Sequence, residues 1–205
     1  RLARAGTPGP VMVEVPVNLY LCRHEVSEAD LGAPTASPPP TATREQLDRA
    51  AEWLSAPGAR TLLHVGLGAA GAGAHLVRLA ERLGAPVTTT IQGKGVFPES
   101  HPLFVWNGFG NSAPPFARAV ARGCDRILTI GCRFSEVGTA GYGITLPGPR
   151  LHVDINPEVL GRNFPAELGI VSDAAAFVAG VLERLPGAGP DRSVVERTIV
   201  EGRKT

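Results

Sequence analysis

The sequence predicts an α/β fold in which one parallel sheet of five or six strands carries helices on both faces. Short apolar runs alternate with amphipathic stretches between residues 43 and 185, as in repeated βαβ units. The strand candidates are largely apolar on both sides, which is typical of parallel strands covered by helical crossovers. A glycine-rich turn at residues 66–71 joins the first strand to a helix. Together these features predict a doubly wound, Rossmann-like sheet.

The first elements of this pattern are a helix, a strand and a second helix. The first helix is predicted over residues 44–54, because Thr43 and Gln46 have the spacing of a capping box and apolar residues follow on one face. A strand is predicted at 61–65 and a helix at 72–83. The turn between them matches G-x-G-x-x-G, a form that brings backbone close to a pyrophosphate at a helix N-terminus.

Four further strands and two further helices complete the pattern. The strands are predicted over residues 87–91, 126–130, 150–155 and 168–171, and the helices over residues 116–121 and 174–185. Asp173 is expected to be the N-cap of the closing helix. Residues 92–111 are rich in turn-forming residues and are predicted to be a loop.

The flanking sequence predicts three parts along the chain. Residues 9–16 indicate a turn and a short buried strand without a partner nearby, so residues 1–33 are expected to end a preceding domain and lead into a linker. The proline run that follows favours an extended connection. Residues 34–185 are predicted to form the central domain, and residues 186–205 a linker with a polar tail. The chain is therefore expected to be a fragment.

Composition narrows the classes of function. The net charge is +1 and the charges are scattered, so neither nucleic acid nor a membrane is expected as a partner. Three cysteines without a C-x-x-C pair disfavour a structural zinc site or a disulfide framework and suggest a cytoplasmic protein. No P-loop, G-x-S-x-G or metal-spaced cluster is present. No catalytic or metal-binding residue is therefore predicted.

Ligands of doubly wound sheets bind beyond the carboxyl ends of the strands. Each candidate at those ends has a second explanation. Gly66 and Gly68 could approach a nucleotide phosphate or simply form a tight turn. Arg133 could pair with a phosphate or be a solvated loop charge. Asp154 could accept from ribose or adenine or only shape a turn, and Asp173 is explained by helix capping.

A nicotinamide-dependent dehydrogenase is one function that this fold could serve. Such domains place an acidic residue at the end of the second strand to bind the ribose. Here that strand ends Thr88-Thr89-Thr90-Ile91-Gln92, without an acid. The pattern therefore disfavours a dehydrogenase, although it remains an alternative.

Several ordered motifs point elsewhere. The most specific are Gly93-Lys94-Gly95-Val96-Phe97-Pro98-Glu99 with His101-Pro102, and His152-Val153-Asp154-Ile155-Asn156-Pro157. They occur together with residues 9–16, 65–68, 86–92, 130–134 and 172–174. Taken in order, these motifs closely resemble the central domain of thiamine-diphosphate-dependent enzymes of the acetolactate synthase type.

The resemblance implies a three-domain parent that decarboxylates or cleaves a small 2-oxo acid, with transfer of the two-carbon unit as a further activity. In that family thiamine diphosphate and Mg²⁺ lie between the other two domains. The activating Glu comes from the preceding pyrimidine-binding domain, and a G-D-G…N motif from the C-terminal domain toward which residues 186–205 would lead. This chain has no Gly-Asp-Gly. The fragment alone is therefore expected to have no turnover, and the parent to be a homodimer or homotetramer.

The resemblance also implies a nucleotide site, since acetolactate synthases hold FAD structurally in this domain. The positions carried over are Gly66, Gly68, Thr90, Ile91, Gln92, Gly93, Gly131, Arg133, Asp154, Ile155 and Asp173. Four positions depart from the family: Thr7 and Val137 replace arginines, Phe109 a histidine and Val159 a glutamate. FAD, ADP, or a spacer domain with no nucleotide bound therefore all remain open.

Overall fold

The computed structural model describes residue 3 and residues 6–23, 25–32 and 38–204. The chain divides into two compact units, Arg1–Pro39 and Pro40–Thr205. Residues 34–37 of the predicted proline linker lie outside the described residues, so the structure says nothing of them. The division at residue 39 falls within that proline run.

The first unit contains one short helix, α1 (Val17–Tyr20). The strand predicted within residues 9–16 is absent: this segment is irregular and exposed, with Met12 87% exposed. None of the described residues offers it a strand edge, and a lone strand cannot satisfy its backbone hydrogen bonds. The prediction of a buried strand is therefore wrong for the described structure.

The second unit is built on a six-stranded sheet in which all neighbours pair in parallel. The strand order is β3-β2-β1-β4-β5-β6, so the direction of winding reverses between β1 and β4. This confirms the predicted doubly wound, Rossmann-like fold. The strands are β1 (Thr61–Val65), β2 (Val87–Thr89), β3 (Phe104–Asn107), β4 (Arg126–Ile130), β5 (Arg150–Asp154) and β6 (Leu168–Val171).

Helices cover both faces of this sheet. One core cluster contains Leu63 and Val65 of β1 and their neighbours in β4 and β5, which are Leu128, Ile130, Leu151 and Val153. Side chains of three helices belong to the same cluster. On the other face, Leu62 and Ile127 pack with Ala121 of a fourth helix. The helices are α2 (Arg44–Leu54), α3 (Gly73–Leu83), α4 (Pro115–Arg122), α5 (Ala174–Leu182) and α6 (Ser193–Gly202), of which α2, α3 and α5 share the first face.

Helix α2 begins as predicted. The backbone N–H of Gln46 donates to Thr43 Oγ1 at 3.2 Å, and the backbone N–H of Thr43 donates to Gln46 Oε1 at 2.9 Å. Both bonds of the capping box are therefore present. The helix then buries Ala50, Ala51 and Leu54 against the sheet.

Removing this cap gives a modest, measurable loss of stability. Thr43→Ala is expected to lower the free energy of unfolding by about 1 kcal/mol, because Gln46 N–H loses its acceptor. Thr41→Ala, two residues upstream and also exposed, is the matched control and is expected to change little. Urea unfolding followed by circular dichroism measures both. Equal losses in the two variants would contradict the capping role.

Three strands differ from the prediction. Strand β3 lies inside residues 92–111, which were predicted to be a loop; its four residues stand between Pro102 and Gly108 and are too few to show a period. Strand β2 ends at Thr89 rather than Ile91, because Thr90 Oγ1 accepts from Gly93 N–H and turns the chain. Strand β5 ends at Asp154, where Asp154 Oδ1 accepts from Asn156 N–H.

Helix α6 lies in the segment predicted to be a linker and polar tail. Its Ile199 is fully buried in a cluster with Val105, Ala113 and Ala117. After it, the Arg203 guanidinium donates to the carbonyls of Glu99 and His101 at 2.9 and 3.1 Å. These residues therefore pack onto the second unit. That residues 186–205 lead toward a further domain stays a prediction.

Candidate functional site

The carboxyl ends of β1 and β4 meet where the sheet reverses its winding. Gly66 follows β1 and its N–H donates to the Ile130 carbonyl at 2.9 Å. Gly68 N–H donates to the carbonyl of Gly131, which follows β4, at 3.1 Å. The first turn of the G-x-G-x-x-G motif is therefore hydrogen-bonded to the loop after β4.

Four glycines at this point lie against one another's backbone. A Cβ on Gly66 would lie 2.1 Å from the Gly131 carbonyl oxygen, and one on Gly68 would lie 2.8 Å from Gly131 Cα. A Cβ on Gly93 would meet the Val65 carbonyl oxygen at 2.9 Å. Gly131 also has φ +61°, which favours glycine. We call Gly66, Gly68, Gly93 and Gly131 the glycine contact; its packing accounts for these residues without a ligand.

The segment after β2 places two side chains outward. Thr90 is half-buried, and its N–H donates to the Val65 carbonyl at 2.9 Å. The side chain of Ile91 is 68% exposed and that of Gln92 is also exposed, although the Ile91 carbonyl accepts from Lys94 N–H. Among the described residues the Gln92 side chain has no hydrogen bond, so both side chains are available to a ligand. No acidic residue stands at this position, as the sequence indicated.

Arg133 and Asp154 are the charged candidates at the same edge. Arg133 is exposed, and its guanidinium has no hydrogen bond or ion pair within the described part of the chain. Asp154 is 8% exposed and uses Oδ1 to accept from Asn156 N–H at 2.9 Å. Its strand is joined to the glycine contact, because Gly131 N–H donates to the Val153 carbonyl. A cation and a carboxylate thus follow adjacent strands.

Asp173 and Ile155 complete the candidate positions. Asp173 Oδ1 accepts from Ala176 N–H at 2.9 Å, and its own N–H donates to the Pro40 carbonyl at 2.7 Å. This is the N-cap that the sequence predicted. Ile155 is half-buried. The described contacts of Asp173 are structural.

The four departures from the family pattern fall in different environments. Phe109 is 5% exposed and meets the His64 ring edge-on at 5.2 Å, so it packs inward on the sheet. Val159 is also buried. Val137 is 85% exposed, and Thr7 is exposed in the first unit. Inward packing explains why an apolar ring is accommodated at position 109.

A row of polar side chains crosses the sheet beneath this edge. Thr88, His64, Thr129 and His152 stand opposite one another in successive strands and all are buried. His64 Nδ1 lies 2.8 Å from Thr88 Oγ1, and His152 Nε2 lies 2.9 Å from the Cys132 carbonyl oxygen. Thr129 Oγ1 has no hydrogen-bond partner among the residues that the structure describes. We call these four residues the polar row.

Burial keeps the polar row uncharged. It lowers the pKa of His64 to about 4, against an opposing hydrogen bond with Thr88. Burial also lowers the pKa of His152, against its bond to Cys132. The sequence did not predict the polar row. Its signal is a polar residue inside each of three apolar strands, at His64, Thr129 and His152, beside Thr88 in the threonine-rich β2.

Burial raises the pKa of the Cys132 and Cys124 thiols to about 12, so neither is a ready nucleophile. Within residues 3, 6–23, 25–32 and 38–204, no group of three His, Cys, Asp or Glu side chains could hold a metal. None of the helices in that part of the chain is long and apolar enough to cross a membrane.

This strand order and its parallel pairing define the class of Rossmann-like α/β domains. Within that class, the family model of the thiamine pyrophosphate enzyme central domain matches residues 47–181. The chain therefore belongs to the family of thiamine pyrophosphate enzyme central domains.

Two relatives support this membership, and one solved structure shares the fold. The chain is 33% identical over 191 residues to a probable acetolactate synthase large subunit of Methanocaldococcus jannaschii, covering 90% of this chain and 32% of the relative. It is 34% identical to a sulfoacetaldehyde acetyltransferase of Rhodobacter capsulatus, covering 92% of this chain and 32% of that protein. A benzoylformate decarboxylase structure from Polynucleobacter necessarius shares the fold, with a TM-score of 0.70, 23% identity and coverage of 93% of this chain and 35% of that one. The chain thus spans about a third of the length of these proteins.

Proposed function

We propose that this chain is the central domain of a thiamine-diphosphate-dependent decarboxylase or carboligase that acts on a small 2-oxo acid, with acetolactate synthase the nearest activity. The observation that carries the proposal is the family match over residues 47–181. The relatives named above include a synthase and an acetyltransferase, which supports a carbon-carbon bond-forming or acyl-transferring parent.

Thiamine diphosphate and Mg²⁺ belong to the other domains of that parent in this proposal. Among the described residues, no group of three His, Cys, Asp or Glu side chains could hold the Mg²⁺. The sequence also has no Gly-Asp-Gly. The chain alone therefore has no turnover. The parent is proposed to be cytoplasmic and to assemble as a homodimer or homotetramer.

The full-length gene product tests this assignment. It is expected to consume pyruvate only when thiamine diphosphate and Mg²⁺ are present, whereas the isolated chain consumes none. The flanking reading frame should encode an upstream domain with the activating Glu and a downstream G-D-G…N motif. A parent that lacks both, or that turns over without thiamine diphosphate, would contradict the proposal.

For the carboxyl edge of the sheet, we propose FAD in a structural role. Arg133 fits a diphosphate, because its guanidinium is exposed and unpaired among the described residues. Asp154 fits a ribose hydroxyl, because it spends only Oδ1 on a described hydrogen bond. Ile91 and Gln92 add exposed surface after β2. The side of Gly66 that faces β4 is filled by Gly131, so the glycines contribute no phosphate cradle there.

Thermal unfolding measures this binding in the isolated chain. At about ten times its Kd, FAD is expected to stabilise the chain by about 1.4 kcal/mol through mass action. Arg133→Gln and Asp154→Asn should reduce the shift in melting temperature. Arg162→Gln, which removes an exposed arginine from the loop after β5, is the control and should keep it.

The same titration separates the alternatives. If ADP raises the melting temperature as much as FAD does, the ligand of this site would be ADP rather than FAD. No shift with either ligand would make the domain a spacer without a nucleotide. Both outcomes leave the family membership unchanged, because that rests on the family match.

A further inference from the structure

A cavity of about 310 Å³ lies between α4 and the loop of residues 140–147. It is on the sheet face opposite α2, α3 and α5. Phe109, Ala121 and Cys124 lie against it beside Ile144 and Leu146. Phe109 and Ala121 belong to an apolar cluster with Leu62 and Ile127. Cys124, Ile144 and Leu146 pack against that cluster. The cavity thus has an apolar floor.

Two arginines of α4 stand at the wall of this cavity. Arg118 and Arg122 are four residues apart and therefore share one face of the helix. Arg118 is half-buried, and its Nη1 donates to the Asn111 carbonyl at 3.2 Å, which fixes the guanidinium and leaves its other N–H groups available. Arg122 is exposed.

The positive charge of this wall is uncompensated. None of the described residues that line the cavity is Asp or Glu. Within the described ranges, neither Arg118 nor Arg122 forms an ion pair. By contrast, the nearby Asp125 is paired with Arg60 and Arg126. The cavity therefore combines two available guanidinium groups with an apolar floor.

We propose that this cavity binds a small organic monocarboxylate with an apolar body. The carboxylate would be bound by Arg118 and Arg122, since guanidinium groups match its geometry. The aliphatic body would cover Ile144 and Leu146, which are half-buried. An inorganic anion would bind the two arginines but leave the apolar floor uncovered. A neutral hydrocarbon would cover the floor but leave both guanidinium groups without a counter-charge. Phe109, one of the four departures from the family's nucleotide site, lines the cavity. Arg133, Asp154, Ile91 and Gln92 do not, so this proposal does not rest on FAD binding.

Calorimetric titration of the full chain with isocaproate tests the site. Saturable binding is expected, and Arg118→Gln or Arg122→Gln should each weaken it about tenfold through loss of a charge-assisted hydrogen bond. Arg49→Gln makes the same charge change on α2, on the opposite sheet face, and should leave the Kd unchanged. Isocaproamide, with the same body but no charge, should not bind, and phosphate should bind more weakly than isocaproate.

Several results would overturn this inference. They are an absence of saturable binding at millimolar isocaproate, equal binding of the amide, or an equal loss in Arg49→Gln. Circular dichroism establishes that each variant is folded. If Arg118→Gln does not fold, the exposed Arg122→Gln still decides the outcome. Amide chemical shifts provide a second readout, since Gly110 and Gly143 line the cavity and should move on binding. FAD that fails to bind the chain would leave these results unaffected.

Discussion

Replacing Gly66 with alanine is expected to lower the free energy of unfolding by about 3 kcal/mol. The backbone angles of Gly66 are not the reason, since its φ is −105°. The new Cβ would lie 2.1 Å from the Gly131 carbonyl oxygen and 2.9 Å from Cys132 Cα. Both neighbours are backbone atoms of the loop after β4, and Gly68 holds that loop by a hydrogen bond to Gly131. The strain therefore cannot be relieved by rotating a side chain.

Gly71 provides a control within the same motif. It is the third glycine of G-x-G-x-x-G, has no atom within 4 Å of its Cβ position, and does not have the positive φ that disfavours alanine. Gly71→Ala is expected to change stability by less than about 0.5 kcal/mol. Urea unfolding followed by circular dichroism measures both variants. Similar losses at the two positions would show that the glycine contact is not what requires Gly66.

The second large effect is a loss of stability in mild acid. Burial lowers the pKa of His64 from 6.5 to about 4, so the folded protein holds this ring neutral while the unfolded chain protonates it. The unfolded state then binds more protons between these values. Stability is therefore complete above the higher pKa and declines as the pH falls toward the lower one. Between neutral pH and about pH 5, protonation of His64 in the unfolded chain should by itself lower the free energy of unfolding by about 2 kcal/mol.

His64→Gln isolates this contribution. The amide has no titrating proton in this range and can still bond to Thr88. The variant is expected to lose stability less steeply than the wild type between neutral pH and about pH 5, by roughly one bound proton. A residual slope should remain, because burial also lowers the pKa of His152. Parallel pH profiles of the wild type and the variant, from urea unfolding at each pH, would contradict a neutral buried His64.

Local patterns were sufficient to predict much of the fold. The bounds of α2, β1, β4 and β6 agree with the sequence prediction. Each has a signal within its own residues, such as the capping box at Thr43 or a short apolar run closed by a turn. Strand β3 and helix α6 were missed for different reasons. The four residues of β3 carry no measurable period, whereas Val195 and Ile199 of α6 did have helical spacing, so the polar residues around them masked an available signal.

The sequence predicted where the candidate site residues lie better than it predicted why those residues are there. Topology alone placed Gly66, Gly131, Arg133 and Asp154 at one edge of the sheet, and the structure has them there. That Gly66 touches Gly131 could not be read from the sequence, because the contact joins segments far apart along the chain. Phe109 is a second example. Its ring packs on His64, which is far away along the chain, and nothing in the sequence indicates this contact. Whether a ligand uses the edge stays a prediction.

The glycine contact also bears on how related sequences are interpreted. Its packing joins the two halves of the sheet, and this need exists whether or not a nucleotide is present. Selection for stability alone would therefore keep these glycines whether or not a ligand binds. Arg133 is exposed and takes no part in this packing, so its identity is not fixed in the same way. In a related sequence, G-x-G at this turn indicates the backbone contact rather than a bound nucleotide.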